Sequence, residues 1–368
     1  MKIGVSLIPV IPGKIGGMEQ YVRNLLSYST NAKDGHTWYL FLAAHNFHTF
    51  QAQGNVQKVM IMQNASIDQQ LHRWIQGLRL DLWFCPLLVL QPADVTIPSV
   101  INIPDIQHEY YPQFFEPNIL KWRLTNYRSS AQRSNAVLTL SEYSRQTILH
   151  KFQLPPQKVH TIHLDASKEF ALPFDAAQSE RVLQKYQLTP GYGFYPANTW
   201  HHKNHLNLLK ALVLLRDNHG LRIPMVFTGS SQEAHESVMA YISQNQLWDQ
   251  IKWLSYVPQN EMPYLYRHAG FLCFPSLFEG FGIPLVEAMR AQIPIISSNC
   301  GSIPEVVGDA SLLFDPIRPD DIAAKLSAIQ QPEIREDLIA KGNAQAKRFS
   351  WEKCARDTLA VFRSVARK

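Results

Sequence analysis

Two carboxylates eight residues apart, Glu279 and Glu287, stand in the segment Phe274-Pro-Ser-Leu-Phe-Glu-Gly-Phe-Gly-Ile-Pro-Leu-Val-Glu287. The segment reads as a strand, a glycine-containing loop and a helix. Gly280 and Gly282 let backbone N–H groups approach an anion at the coming helix N-terminus, where the helix dipole adds to the attraction. Glu279 falls in the loop and Glu287 about one turn inside the helix, so the two need not touch. One carboxylate suits a sugar and the other two hydroxyls of a ribose, because a carboxylate accepts from several donors. Spacing alone also fits a plain α/β loop flanked by two surface acids.

Five further segments carry residue types suited to the same chemistry. Gly16-Gly17-Met18-Glu19 closes the first strand–loop–helix unit and leaves a phosphate- or sugar-sized gap above a helix N-terminus. Gly13 widens that loop. In Asn102-Ile-Pro-Asp-Ile-Gln-His-Glu109, His108 lies in a polar, aromatic loop and Asp105 is placed to orient its ring, as carboxylates commonly do for imidazoles. A lone loop histidine is also often only solvated. In Tyr195-Pro-Ala-Asn-Thr-Trp-His-His-Lys-Asn204, Lys203 opens a helix after a strand and loop, a good place to meet a diphosphate. An exposed helix lysine is the plainer reading. Gly229-Ser230 and Tyr256-Val257-Pro258 each follow a strand and complete the set.

The elements that must position these residues are those of an α/β protein. The 368 residues are 46% hydrophobic and 18% charged, enough apolar material for sizeable cores and two domains. Short β-rich runs alternate with helical patterns almost throughout, the signature of parallel sheets with crossover helices. Strands are expected at Ile3–Pro9, Trp38–Ala43, Val56–Met62, Leu82–Cys85, Ser99–Ile103, Ala136–Leu140 and Val159–His163 in the first half. Met18, Tyr21/Val22 and Leu25/Leu26 give the helical period of the first helix. The rhythm loosens at Asp165–Asp175, which reads as a linker, and restarts at Tyr192–Pro196. Seven of only 17 glycines fall in three groups: Gly13/Gly16/Gly17, Gly191/Gly193 and Gly280/Gly282. The first and last serve as site loops, and Gly191/Gly193 as a hinge before the second domain.

Composition excludes several classes. No apolar run approaches the ~20 residues that span a bilayer, and the start reads as a first β-strand rather than a signal peptide. Cys85, Cys273, Cys300 and Cys354 form no C-x-x-C and are expected as free thiols in a reducing compartment. No G-x-G-x-x-G follows a strand, which disfavours a nicotinamide dehydrogenase. The net charge is +5. Between Lys121 and Lys168, eight basic residues face two acids, a patch that is either solvated helix surface or a surface for anionic lipid or an anionic acceptor. No aromatic–basic stacking module appears, so no nucleic acid is expected as partner.

Glu279 to Glu287 resembles the E-x7-E motif of retaining GT-B glycosyltransferases of family GT4. Pro294, Ser302-Ile-Pro-Glu305 and Asp315-Pro316 fall where that family has its next conserved run, with Gln292 where the family usually has Gly. The resemblance implies a GT-B α/β fold: two Rossmann-like domains facing across a cleft, at 1–172 and 173–349, with 350–368 as a helix crossing back to the first. It implies transfer of a hexose, with retention, from a GDP- or UDP-hexose to a hydroxyl of a glycan or lipid-linked acceptor; the E-G-F-G-x-P loop leans towards mannose. The donor-binding residues it implies are Gly16, Gly17, Asn198, Lys203, Gly229, Tyr256, Val257, Gly280, Phe281, Gly282, Ile283 and Glu287. His108, Asp105, Glu279 and Lys203 would act at the reacting centre, Glu279 as a positioning contact and not as a nucleophile. Two departures stand out: Pro104 where the family often has His, and Ala197 where it usually has Arg. They leave room for a nucleotide-sugar-binding protein without activity, or a nucleotide-sugar epimerase. His201, His202 and His205 admit a metal site in principle, but the family generally needs none, so neither metal nor cofactor is expected. A cytoplasmic protein, peripheral at the inner face of the membrane, is the expected setting.

Overall fold

The computed structural model describes residues 1–13, 16–30 and 35–366. Lys14 and Ile15 of the first glycine loop, and Arg367 at the end of the last helix, lie outside the described residues. The chain divides into two units, Met1–Leu164 with Ser350–Lys368, and Asp165–Phe349.

In the first unit seven strands form one parallel sheet: β1 (Lys2–Ser6), β2 (Thr37–Ala43), β3 (Val56–Ile61), β4 (Leu82–Cys85), β5 (Ser99–Asn102), β6 (Ala136–Thr139) and β7 (Val159–Thr161). Their order is β3-β2-β1-β4-β5-β6-β7. Helices cover both faces of such a sheet, so its strands are apolar on both sides. Leu82-Trp-Phe-Cys85 is buried at every position. The order reverses direction between β1 and β4, so their chains leave the sheet to opposite sides and open a crevice at its carboxyl edge.

The second unit repeats the plan with six parallel strands: β8 (Gly193–Pro196), β9 (Met225–Thr228), β10 (Ile251–Trp253), β11 (Phe271–Phe274), β12 (Ile295–Ser298) and β13 (Ser311–Phe314). The order is β10-β9-β8-β11-β12-β13, with its reversal between β8 and β11. These two strands are paired neighbours, Phe271 beside Gly193 and Leu272 beside Phe194.

The stretch read from sequence as a linker carries packed contacts of the second unit. Asp165 accepts from Arg290 Nε and Nη2 at 3.1 and 2.9 Å, and buried Phe170 packs edge-on to Tyr266 at 5.1 Å. At the other boundary the last helix, Trp351–Ala366, belongs to the first unit. Its start is capped as expected, with Lys353 N donating to Ser350 Oγ at 3.0 Å. The four cysteines are free thiols, and Cys85, Cys273 and Cys354 are buried. No helix among the described residues is long and apolar enough to cross a membrane.

Candidate functional site

The loops after β8 and β11, neighbours at the reversal of the second sheet, carry the residues singled out by sequence. Lys203 follows β8 in the 3-10 turn His201–Lys203. Glu279 follows β11, 76 positions later, and Lys203 Nζ donates to Glu279 Oε1 at 2.5 Å. Both side chains are largely shielded, 17% and 13% exposed, so the pair is held at the crevice and not free in solvent. Sequence put both residues at the site without foreseeing that they would bind each other.

Backbone ties make this geometry. Leu277 N donates to His202 O at 2.8 Å, which sews the two loops together. Asn204 Nδ2 donates to Pro275 O and Pro316 O at 3.0 and 2.7 Å. Ser302 Oγ donates to Glu279 O and Phe281 O at 2.9 and 3.2 Å, holding the loop carbonyls from the end of β12. Gly282 then turns into the helix Ile283–Arg290 with φ +96°, a left-handed conformation that a side chain resists. Pro284 lies in the first turn of that helix, where its missing N–H costs nothing. This N-terminus, with its helix dipole, stands beside the Lys203–Glu279 pair along the chain, a place suited to an anion.

Glu287, on the same helix, is 5% exposed, and its Oε2 accepts from Tyr266 Oη at 2.8 Å. Burial and the Glu287 carboxylate push the Tyr266 hydroxyl well above its ordinary range, so it remains a donor at any working pH. Tyr266 was missed by sequence reading. It lies 21 positions upstream on another helix, and no local pattern links the two. Ser302 and Asn204 were quoted within motifs but given no role.

Gly229, at the end of β9, has φ +126°, and a Cβ there would meet the backbone of Ala197 and Asn198 at 2.5–2.7 Å. That close approach lets Asn198 Oδ1 accept from Ser230 N at 2.7 Å. Gly229→Ala is therefore expected to cost more than about 1 kcal/mol, because both strain and a backbone clash oppose it. Urea unfolding checks this, and an unchanged midpoint would contradict it. Tyr256 is 65% exposed and Val257 is buried, after Ser255 O accepts from Gly229 N at 2.8 Å. His205 packs against Tyr195, Phe227 and Trp253, inside the unit's core.

In the first unit, Glu19 Oε2 accepts from Gly13 N at 2.7 Å and its Oε1 accepts from Arg23 Nε at 2.8 Å, so Glu19 pins the flank of the first glycine loop. Gly16 and Gly17 are exposed at the start of the helix Gly17–Thr30. The expected pairing of Asp105 with His108 is not found. Asp105 Oδ1 instead accepts from Gln107 N at 3.0 Å, a local turn that uses up that oxygen. His108 is buried edge-on to Tyr127 and Phe115, and neither ring nitrogen has a hydrogen-bond partner.

Burial, aided by Arg123, lowers the His108 pKa to about 4, and burial lowers that of His205 to about 3. Both rings are neutral when folded. As pH falls below about 6.5, the unfolded chain takes up protons that the folded rings refuse. Stability is thus expected to decline from pH 6.5 towards 4, by up to about 1.4 kcal/mol per pH unit for each ring. Denaturant midpoints between pH 7.5 and 4.5 check this. His108→Phe should flatten the slope, and an unaltered slope in that variant would contradict the assignment.

The comparisons with known proteins bear on the whole arrangement. The family model described as Glycosyl transferases group 1 matches residues 184–345. O-antigen chain mannosyltransferase B of Escherichia coli is 34% identical over 267 residues, covering 72% of this chain and 70% of that one. The chain belongs to the group 1 glycosyltransferases, family GT4. O-antigen chain mannosyltransferase RfbU of Salmonella typhimurium is 28% identical over 261 residues, 70% of this chain and 68% of its own. The structure of Anabaena HepE in complex with UDP-glucose superposes with a TM-score of 0.78, covering 99% of this chain and all 100% of that one at 16% identity. WaaG, a glycosyltransferase involved in lipopolysaccharide biosynthesis, gives 0.72 over 98% and 99% of the chains at 14% identity. At such identities the likeness is one of fold, and that fold is GT-B. The protein is a glycosyltransferase, and retention of the anomeric configuration is what its family implies.

Proposed function

We propose that this glycosyltransferase moves a mannosyl group from GDP-mannose to a hydroxyl of a glycan carried on a lipid. The observation that carries the reading is the shielded Lys203–Glu279 pair beside the N-terminus of the helix Ile283–Arg290. The difficult step is departure of the diphosphate from an oxocarbenium-like centre. Positive charge and fixed N–H dipoles around the leaving group lower that barrier most. On this reading the donor opens the ion pair: Lys203 turns to the diphosphate, and Glu279 turns to the hydroxyls of the transferred sugar. The loop Gly280–Ile283 lines the phosphates, and the Glu287 carboxylate accepts from the ribose. Asn198, Gly229, Tyr256 and Val257 border the nucleoside. On the first unit, Gly16, Gly17, Asp105 and a neutral His108 are the residues we assign to the reaction. The attacking hydroxyl passes its proton to a phosphate oxygen, so no enzyme base pair is required.

The names of the relatives support mannose as the sugar, and the E-G-F-G-x-P loop agrees with them. A thermal-shift comparison of GDP, UDP, GDP-mannose and UDP-glucose tests the donor. A ligand at 100 times its Kd stabilises by about 2.7 kcal/mol, so GDP and GDP-mannose should raise Tm clearly. A shift with the uridine ligands alone would overturn the GDP assignment.

We further place the protein in the cytoplasm at the inner membrane face. The helix Pro117–Arg133 supports this with Lys121, Arg123, Arg128 and Arg133 and no acid. Part of the wider basic patch has internal work: Arg145 binds Glu142, Val159 O and Pro156 O.

A further inference from the structure

The first sheet has a crevice of its own at its reversal, and its chemistry differs from that of the second. A cavity of about 490 Å³ opens where the chain leaves β1 at Ser6–Pro9 and leaves β4 at Cys85–Leu90. Pro9, Met18, Leu87, Leu88, Val89 and Leu90 make much of its wall. Leu87, Leu88 and Val89 are only half-buried, so apolar surface is presented to the cavity beyond what the core covers. Among the described residues, no Lys, Arg or His lines the cavity.

Two of the polar side chains are held by hydrogen bonds within the wall. Gln91 Nε2 donates to Asp68 Oδ1 at 3.2 Å, and Asn126 Nδ2 donates to Trp122 O at 2.8 Å. The Cys85 thiol, pushed up to about 12 by burial, is neutral. A diphosphate would find no cation among the described lining residues, and a bare sugar would lose water against a mostly apolar wall. An alkyl or prenyl chain loses nothing and gains apolar contact.

One side of the cavity is the helix Pro117–Arg133, through Trp122 and Asn126, four positions apart on one face. Ile119, three positions before Trp122, extends that stripe outward. Ile119 and Trp122 are each 49% exposed. The same helix carries four basic residues and no acid, which complements a phosphate at the end of an apolar chain.

We propose that this cavity binds the apolar chain of a lipid-linked acceptor, with the stripe Ile119–Trp122 as the exit towards its anionic head. This rests on the reading of the protein as a transferase with a lipid-linked acceptor, and it assigns the lipid part of that acceptor to named residues of the first unit.

The test uses alkyl α-D-mannopyranosides from methyl to decyl as probes, below the concentrations at which they form micelles. Binding is followed by calorimetry at several temperatures. Affinity should rise about two- to fourfold per added methylene until the cavity is filled, as apolar burial predicts. The heat-capacity change should be negative and grow with chain length. Val89→Trp, which fills the cavity, and Leu87→Asp, which charges its wall, should each reduce decyl mannoside binding at least tenfold. GDP-mannose binding and hydrolysis should stay unchanged in both. Thermal unfolding confirms that each variant is folded. Affinity independent of chain length would overturn the proposal, as would variants that bind decyl mannoside like the parent. So would variants that lose affinity for vesicles of anionic phospholipid while keeping decyl mannoside binding, because the surface would then be a membrane dock. Parent protein that neither binds nor hydrolyses GDP-mannose, yet shows the chain-length series, would remove the GDP-mannose assignment separately.

Discussion

Lys203→Ala is expected to lower kcat for mannosyl transfer by about 10²–10³-fold, the usual loss when one preorganised group facing developing charge is removed. The ammonium is anchored beside the helix N-terminus by its contact with Glu279. In transfer, the negative charge that grows on the departing diphosphate would make the proposed contact of Lys203 with the phosphates stronger in the transition state than in the ground state. The effect should therefore fall mainly on kcat rather than on KM. The substitution also strands the Glu279 carboxylate in a shielded place, which costs stability. The double variant Lys203→Met/Glu279→Gln separates the two effects. Neighbours that share one interaction couple by about 0.5–3 kcal/mol, so the double variant should unfold later than the sum of the single changes indicates. Its transfer rate should stay at the level of the worse single variant. Recovery of activity together with stability would show that the pair is only a structural strut.

Glu287→Leu should be the second severe change, and for two reasons. It deletes the carboxylate proposed to hold the ribose, and it leaves the buried Tyr266 hydroxyl only its long contact to Pro284 O at 3.5 Å. A poorly satisfied buried donor costs up to about 1–3 kcal/mol, so the variant should melt earlier as well as bind GDP poorly. Tyr266→Phe distinguishes the two losses. It removes the hydroxyl while keeping Glu287, so GDP affinity should fall modestly and KM for GDP-mannose should rise with kcat little changed. If Glu287→Leu bound GDP like the parent after its lower Tm was taken into account, the carboxylate would have no part in holding the nucleotide.

Much of this architecture was legible because parallel strands buried on both faces are written as short apolar runs. Leu82–Cys85, Met225–Thr228 and Phe271–Phe274 fall where those runs stand. The ends were less legible. Ile3–Pro9 shortens to Lys2–Ser6 because the chain turns at Ile8 and Pro9, after Leu7 N makes its last bond to the sheet at Phe41 O, though these residues remain apolar. The site was legible where chemistry forces residue types into a short span, as in the loop from Phe274 to Glu287. It was not legible where a contact joins distant segments. The Lys203–Glu279 pair depends on β8 and β11 being neighbours, and the Tyr266–Glu287 pair on the packing of two helices. His108 shows the opposite case. A histidine in a polar loop by sequence turned out to be enclosed by Tyr127 and Phe115, because the aromatic side chains after it fold back over it. The cavity of the first unit left no motif at all, since Leu87–Leu90 reads like any buried run until its neighbours are known.

The central claim is that the crevice of the second sheet holds GDP-mannose for transfer with retention. The most direct measurement is the proton NMR spectrum of the first product formed from GDP-mannose and a mannoside acceptor. The account predicts an α-mannoside as the initial product, formed by the parent and nearly absent with Lys203→Ala. A β-linked product, or an undiminished rate in that variant, would contradict it.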